Sequence, residues 1–496
     1  MYPSCAMKNR LLFFTALMAA SSAALAQTPA ATYPVRNALG NYGDLQTYRS
    51  DGWLDIGKAI RLNPRFAPFV VRKDFDTWWN SSTPIPKSAI HSDLTNAGVD
   101  FTGSFVADFL GNVSGGQNLG FAYTHTLSGQ LSFDLGKLVN WKGGTLTWSF
   151  ADNAGTNLQN AVGNIFTPSN LYGPNTFYFG ELYLTQSLFD GAVVMKLGQL
   201  CAADDFATSP IYGNYLNSAF NGNPFVPFGT YPMTGFPAAS WGASIQGNWK
   251  RDAVANFYGQ AGIYQVSDRI GLWGRTHHGM DMSIRPDDGT MIMWEAGWTP
   301  SFFANAGTQA PADGKSVADK KTVVPTAANP GYPGHYKIGG FLTNWSYPTF
   351  SGSPATYPNA YGFYFLADQQ VTMVPGNPSE GLVLWGAIGW TPQQSISSMP
   401  FFASGGAQYT GLLPGRSNDI ALVGVAYGQG SINSIHVSEA SGVPPSTYEI
   451  AVEGTYVIQL NQWLSVQPDV QYIVNPGGTG TIQNSWILGG QVTVNF

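Results

Sequence analysis

Apolar and polar residues alternate along most of this chain. The stretch GVDFTGSFVADF, residues 98–109, sets aliphatic and aromatic residues against Asp, Thr and Ser, and the pattern returns in YTHTLSGQLSFD, TLTWSF, AVANFYGQAGIY and LSVQPDVQY. A period of two predicts β-strands with one apolar and one polar face. The polar positions carry mainly Ser, Thr, Asn, Gln and Gly with scattered acids, which is typical of a hydrated lumen rather than of a surface in bulk water.

The segments number sixteen, an even count of the kind that bacterial outer-membrane barrels have. We therefore predict an all-β fold, a transmembrane antiparallel β-barrel of 16 strands. The strands are expected near 98–110, 123–134, 143–151, 177–186, 190–199, 239–248, 253–264, 290–298, 334–343, 361–371, 381–390, 400–410, 417–428, 447–458, 463–474 and 485–496. Short connections then fall on the periplasmic side and long ones outside, except that the polar stretch 299–333 is long and periplasmic. Either a strand pair is miscounted there or the stretch is an insertion.

The last predicted strand, WILGGQVTVNF, ends its apolar stripe on Phe496. Such a strand resembles the signal that outer-membrane barrels present to the β-barrel assembly machinery. The alternative is a soluble strand that happens to end in Phe.

The N-terminus predicts export. Lys8 and Arg10 precede the apolar run LLFFTALMAA, and small residues lead to a cleavage site after Ala26. This is the arrangement of a secretory signal peptide, so residues 1–26 are assigned to it. Residues 27–90 show no clear alternation and are expected to be a periplasmic segment or a flexible leader, followed by an outer-membrane barrel in 91–496. After cleavage only Cys201 remains, which excludes an internal disulfide.

Composition narrows the class of protein further. Charged residues make up only 10% of the chain and aromatic residues 14%, and loss of the signal peptide takes the formal net charge from −6 to about −8. Nothing in this balance indicates a partner among nucleic acids. No run of 18 apolar residues follows the signal, so a membrane helix is not predicted. A large soluble β protein and a membrane-spanning barrel remain, and the barrel is favoured.

A specific family resemblance rests on several stretches in order. GVDFTGSFVADFLGNVSGG, LVNWKGGTL, KLGQLCAADDF, PDDGTMIMWEAGW, PGHYKIGGF and LSVQPDVQYIVNPGG resemble the carbohydrate-selective porin (OprB) family over roughly residues 90–496. The resemblance implies a sixteen-stranded Gram-negative outer-membrane channel, a monomer or homotrimer in outer-membrane lipid. It would pass glucose and similar small neutral sugars by diffusion, with no cofactor and no enzymatic activity. A secreted β-rich carbohydrate-active enzyme and a porin for other small neutral solutes are the alternatives.

Candidate pore-lining residues follow from strand parity. Sugar hydroxyls need side-chain carboxylates and amides, so inward acids and the inward Lys are the candidates. They are Asp108, Glu181, Lys196, Glu295, Glu449 and Glu453, and parity also turns Asp100, Asp134, Asp368 and Asp469 inward. Asp108 is favoured because the family has an acid at the matching position near its constriction. Trp241 resembles a constriction tryptophan of the family, although its parity groups it with the lipid-facing positions.

The long connection 200–238 is rich in aromatic residues and nearly free of basic ones. Such a loop can fold into a barrel of this size and narrow it. Its candidate sugar-stacking rings are Tyr212, Tyr215, Phe220, Phe225, Phe228 and Tyr231, and the alternative is that they pack as a capping loop. His277 and His278 with Asp281 lack the ligand spacing of a metal site, so no metal is predicted.

Overall fold

The computed structural model describes residues 89–224, 234–267, 269–270, 278–279, 282–304, 331–350, 356–374 and 377–496. Sixteen strands form the barrel wall. They are β1 (Val99–Gly116), β2 (Gly120–Asp134), β3 (Gly144–Gly155), β4 (two segments, Thr176–Tyr178 and Leu182–Leu188), β5 (Val193–Leu200), β6 (Ser240–Lys250), β7 (Asn256–Val266), β8 (Gly289–Trp298), β9 (Tyr332–Thr343), β10 (Ala360–Gln370), β11 (Gly381–Trp390), β12 (Phe401–Thr410), β13 (Ile420–Gln429), β14 (Tyr448–Gln459), β15 (Leu464–Val474) and β16 (Gln483–Asn495).

Each strand pairs antiparallel with the next along the chain, and the barrel closes where β1 pairs with β16. All sixteen predicted strands are confirmed. Strand β4 differs from the prediction because both of its segments pair with β3 while residues 179–181 interrupt it. The two-residue strand Ser301–Phe302 adds to one edge of β9, and Tyr347–Pro348 pairs with Thr356–Tyr357 outside the barrel wall.

Short helices lie in the connections. They are α1 (Ala89–Ala97), α2 (Leu135–Val139), α3 (Gln159–Val162), α4 (Ala202–Asp205) and α5 (Ile432–Ala440), with 3₁₀ turns at Tyr212–Asn214 and Pro476–Gly478. Helix α2 begins at the cap Asp134, whose carboxylate accepts hydrogen bonds from the backbone N–H groups of Gly136 and Lys137. Lys137 in turn donates to the carbonyl of Thr95 in α1 at 3.2 Å, so α1 lies beside this turn.

Alternation sorts the wall into two faces. On β10 and β11, Phe363, Phe365, Leu384 and Ile388 are between 43 and 47% exposed, whereas the residues between them are buried. The exposed positions form the apolar outer surface that a membrane barrel presents to lipid. Aromatic contacts follow the loop end of this surface, as between Tyr472 and Trp486, whose ring centroids lie 4.5 Å apart. Such aromatic bands mark membrane–water interfaces.

The connection between β8 and β9 resolves one ambiguity in the strand count. β8 and β9 pair directly with each other, so the wall needs no further strand pair at 299–331. The long stretch is therefore an insertion that joins the end of β8 to the start of β9. Most of it, residues 305–330, lies outside the described residues. The predicted signal peptide and residues 27–88 of the predicted periplasmic segment lie outside them as well.

No helix within the described ranges has both the length and the apolar character needed to cross a bilayer.

Candidate functional site

Two connections at the same end of the barrel fold into its interior. Outer loop 2 is residues 156–175, between β3 and β4, and outer loop 3 is residues 201–239, between β5 and β6. Of loop 3, residues 225–233 lie outside the described part of the chain. The inward folding of this connection is confirmed by its contacts with the inner wall on the opposite side of the barrel.

Carboxylates of the inner wall hold loop 3 by its backbone. Glu453 on β14 accepts hydrogen bonds from the N–H groups of Leu216 at 2.7 Å and Asn217 at 2.9 Å. On β8, Glu295 accepts one from the N–H of Ala207 at 2.8 Å. Hydrogen bonds to a carboxylate are the stronger kind, and they satisfy loop backbone that would otherwise lie unpaired inside the barrel. The loop is thus fixed at two places along its length.

Further side-chain bonds complete the attachment of loop 3. Asp368 accepts from the hydroxyl of Ser209, Lys337 donates to the carbonyl of Thr208, Gln467 donates to the carbonyl of Asn214, and Asn217 donates to Gln471. These wall residues come from β9, β10 and β15. The anchored loop therefore spans the inner wall from β8 to β15.

Loop 2 is held in the same way from the other side. Both carboxylate oxygens of Glu449 accept a hydrogen bond from the N–H of Ile165, and one of them also accepts from the N–H of Phe166 at 2.9 Å. The N–H of Gly477 donates to the same carboxylate at 2.7 Å. One acid on β14 thus ties loop 2 to the connection between β15 and β16.

The candidate acids face inward, as parity predicts, but most are covered. Glu449 and Glu453 are 0% exposed and Glu295 is 2% exposed, because the loops lie over them. They do not border an open passage, and the backbone N–H groups of the loops use their oxygens. Sequence parity gives the direction of a side chain and carries no information about a loop that packs on it.

The predicted sugar-stacking role of three loop 3 rings is wrong. Tyr212, Tyr215 and Phe220 are at most 3% exposed. They pack around Trp385 of β11, with ring centroids 5.5, 5.5 and 6.2 Å from it. The Trp385 indole N–H donates to the Tyr215 hydroxyl at 3.1 Å, and this hydroxyl donates to the Val423 carbonyl. These rings fasten the loop to the wall. Phe225, Phe228 and Tyr231 lie outside the described residues.

A charged cluster remains at the start of loop 3. Lys196 on β5 forms an ion pair with Asp205, which also accepts a hydrogen bond from Ser244 on β6 at 3.0 Å. The Lys196 side chain is 28% exposed, unlike the covered acids. The Asp204 side chain keeps an exposed surface, although loop and wall residues pack around it. That partial burial, together with the neighbouring charge of Asp205, raises the pKa of Asp204 to about 6.

Glu181 connects this cluster to the wall. It is 6% exposed, and its carboxylate accepts a hydrogen bond from the N–H of Cys201 at 3.0 Å. Ligand atoms of Glu181, Cys201 and Asp204 lie within 4.8 Å of one another, close enough to hold one ion in principle. The Cys201 thiol donates to the Ala238 carbonyl at 3.5 Å, and the Glu181 carboxylate is already bonded to backbone. Both groups are thus used in fastening the start of loop 3.

Asp108 borders a cleft under loop 2. Its carboxylate accepts hydrogen bonds from the Ser169 hydroxyl at 2.6 Å and from Gln491 on β16 at 2.9 Å. The cleft is small, with room for about one water molecule, and its polar lining comes from Asp108, Thr124, Thr156, Asn157, Ser169 and Tyr172. Tyr172 is 40% exposed and offers a ring at the rim. Sequence reasoning found Asp108 but missed the loop residues, since only the fold brings them to β1.

Trp241 does not line the lumen. It shares its side of β6 with Ile245 and Trp249, which are 47% and 62% exposed on the outer surface. Its indole N–H donates to the carbonyl of Met282 at 2.8 Å in the connection between β7 and β8. The lipid-facing parity of the strand therefore outweighs the family resemblance at this position.

These features define a class of protein. A closed sixteen-stranded antiparallel barrel with an apolar outside, an acid-bearing inner wall and loops folded inward is an outer-membrane porin. Comparison with known proteins then gives the family. The sequence model of the carbohydrate-selective porin, OprB, family matches residues 119–496, and the chain belongs to that family.

Individual relatives agree with this assignment. The chain is 23% identical over 446 residues to Porin B of Pseudomonas aeruginosa, covering 82% of this chain and 89% of that one. It is 21% identical over 436 residues to the putative porin QuiX of Acinetobacter baylyi, covering 81% and 90%. A structure of Pseudomonas putida OprB at high pH superposes with a TM-score of 0.71 at 21% identity, covering 82% of this chain and 96% of that one. That likeness supports the fold.

Proposed function

We propose that this protein lets small neutral sugars, glucose among them, diffuse passively through the outer membrane into the periplasm. The process needs neither a catalytic residue nor a cofactor. The observation that carries the proposal is the unequal covering of the inner wall. Loop 3 buries the wall from β8 to β15, whereas inward side chains such as Thr102, Gln130 and Lys196 stay partly exposed. A passage with hydroxyl, amide and charged groups is thus left beside β1, β2 and β5.

Such a wall suits hydroxyl-rich solutes. A sugar that enters a narrow polar passage exchanges its hydrogen bonds to water for bonds to the wall at little net cost. Asp108 is 1% exposed, so it would act by holding Ser169 and with it the loop 2 rim, where the exposed Tyr172 ring would meet the apolar face of a pyranose. Tyr172 is therefore our proposed sugar contact, and Asp108 is our proposed positioning residue for the rim. Lys196 and Glu181 would contribute at the start of loop 3.

Two further parts of the proposal concern delivery. The predicted signal peptide would direct export through the inner membrane, and the final strand would be presented to the assembly machinery before insertion into outer-membrane lipid. A porin for other small neutral solutes is the nearest second candidate, since amides and hydroxyls would also serve it.

Planar-bilayer recordings of the purified mature protein test the sugar contacts. Glucose should reduce the single-channel K⁺ current in a concentration-dependent way, whereas urea at equal osmolarity should not. Asp108→Ala should weaken the glucose effect while the sugar-free conductance stays close to wild type. Glu439→Ala, in the exposed part of α5, is the matched control. A glucose effect that survives in Asp108→Ala would remove the residue assignment, and equal effects of glucose and urea would contradict sugar preference.

A further inference from the structure

The periplasmic end of the barrel, opposite outer loops 2 and 3, carries unpaired positive charge. Lys142 lies in the connection between β2 and β3, and Lys250 and Arg251 lie where β6 turns into β7, all three exposed. Within the described part of the chain, none of them forms an ion pair. By contrast, Arg416 in the turn between β12 and β13 pairs with Asp419 through two bonds of 2.8 Å. Three cations thus lack an acidic partner on a chain whose net charge is −6.

The connection between β2 and β3 folds onto the outer face of the barrel. The Trp141 indole N–H donates to the side-chain oxygen of Gln186 at 2.6 Å, and Gln186 faces outward between two leucines of β4. The Gln186 amide in turn donates to the Lys142 carbonyl at 3.1 Å. Leu135 and Trp141 also lie together over Gly144, at the start of β3. The connection therefore lies on the lipid-facing side of the wall and not over the lumen.

Large apolar side chains are exposed beside the three cations. Val139 in the connection between β2 and β3 is 66% exposed, and Phe189 in the turn between β4 and β5 is 79% exposed. On β6, Trp249 is 62% exposed and immediately precedes Lys250 and Arg251. These residues continue the apolar outer face to the periplasmic ends of β2 to β7. Apolar residues beside unpaired cations suit the membrane interface, where acyl chains meet anionic headgroups.

The acids at these three turns do not cancel the positive charge. Asp134 is engaged as the cap of α2, and the Asp252 carboxylate accepts from two backbone N–H groups of its own turn, at 2.8 and 2.7 Å. Asp190, exposed in the turn between β4 and β5, is the third acid. Lys137 and the three cations above make four basic residues at the same turns, so a positive excess remains.

We propose that the periplasmic rim patch binds an anionic phospholipid of the inner leaflet of the outer membrane. The patch consists of Val139, Trp141, Lys142, Phe189, Trp249, Lys250 and Arg251. Arg251 continues the outward side of β6, because its N–H pairs with the Ala255 carbonyl at 2.9 Å in the strand register. Its guanidinium binds the headgroup phosphate, and the apolar members contact the acyl chains. Charge complementarity and continuity with the lipid-facing wall carry this proposal, which is independent of what passes through the lumen.

Native mass spectrometry of the detergent-purified mature protein tests the binding, with dioleoylphosphatidylglycerol as the probe. The wild type should bind this lipid more tightly than dioleoylphosphatidylcholine, which has the same acyl chains and a zwitterionic headgroup. Arg251→Gln should raise the Kd for phosphatidylglycerol about fivefold, the loss expected for one cation at a lipid surface, and leave the Kd for phosphatidylcholine unchanged. Arg416→Gln is the matched control, since this arginine at the same end already pairs with Asp419. Equal Kd values for the two lipids, or equal effects of the two variants, would overturn the proposal.

Two further measurements identify the occupant. Glycerol 3-phosphate carries the phosphate without acyl chains and should not displace the bound lipid, whereas displacement would assign the patch to a soluble phosphate. Purified peptidoglycan should retain the wild type and Arg251→Gln equally. Retention that is lost in Arg251→Gln would assign the patch to the cell wall and overturn the lipid assignment. Heat-modifiable migration on gels verifies that each variant is a folded barrel.

Discussion

The backbones of Gly103 and Phe496 exchange two hydrogen bonds. The N–H of Gly103 donates to the Phe496 carbonyl at 2.8 Å, and the N–H of Phe496 donates to the Gly103 carbonyl at 2.9 Å. The Phe496 ring lies over Gly103, where an added Cβ would clash with it, and packs near Phe101 with centroids 6.4 Å apart. The end of the last strand thus completes the closure of the barrel against β1.

Deletion of Phe496 should therefore impair assembly. The variant loses both backbone bonds and the ring that covers Gly103, so we expect a several-fold drop of heat-modifiable protein in the outer membrane, with export through the inner membrane unaffected. Gly103→Ala should show a related defect because the methyl group displaces the ring. Asn495→Ala is the control, since the Asn495 backbone N–H that pairs with Trp463 remains. Normal surface amounts of the Phe496 deletion would show that the ring is dispensable.

Removal of the Glu453 carboxylate should loosen loop 3. Glu453→Ala leaves the N–H groups of Leu216 and Asn217 without their acceptor. Two buried N–H groups left unsatisfied, at about 1–3 kcal/mol each, weaken the loop attachment by roughly 2–6 kcal/mol. Liposomes that contain the variant should admit oligosaccharides that the wild type excludes, and the unfolding temperature should fall. Glu439→Ala should change neither, and an unchanged size limit in Glu453→Ala would mean that the remaining contacts suffice.

Asp204 should make ion selectivity depend on pH. Its pKa of about 6 lies above the ordinary value near 3.8, so the group is neutral at pH 5 and negative at pH 7.5. The ratio of cation to anion permeability should therefore fall as the pH drops through 6. The same shift disfavours the charged form in the fold, so this group lowers stability as the pH rises from about 4 to 6. Reversal potentials of wild type and Asp204→Asn measure the effect, and an equal pH dependence in both would assign it elsewhere.

The barrel was predictable from sequence because its signals are local. A lipid-facing residue must be apolar and its neighbours need not be, so alternation locates each strand, as in Trp486 to Phe496. Inward parity likewise identified Glu453 and Asp108. Glu453 accepts a hydrogen bond from the backbone of Leu216, more than two hundred residues away in sequence, and Asp108 accepts one from Ser169 on loop 2. Nothing local in the sequence encodes such contacts, so the anchoring role of Glu453 became evident only in the fold.

The burial of the loop 3 rings has a related cause. Tyr215 and Phe220 are equally compatible with stacking on sugars and with packing on a wall, and the choice depends on what faces them. Trp385 is inward on β11 and supplies an aromatic surface inside the lumen. An inward Trp opposite a Tyr-rich and Phe-rich loop was the available signal. Trp241 shows the converse, because its parity already indicated the outer face.

The central claim, that neutral sugars pass this channel more readily than anions of similar size, is tested most directly by swelling of liposomes that contain the purified protein. The exposed Asp204 and the half-buried inward residues Asp100 and Asp134 give the open part of the lumen a negative character, and salt at low concentration leaves this field unscreened over more than a nanometre. Glucose feels no such barrier, whereas gluconate, nearly equal in size, is repelled. At low salt we expect clearly faster swelling with glucose than with gluconate. Equal rates for the two solutes, or no swelling with glucose, would contradict the account.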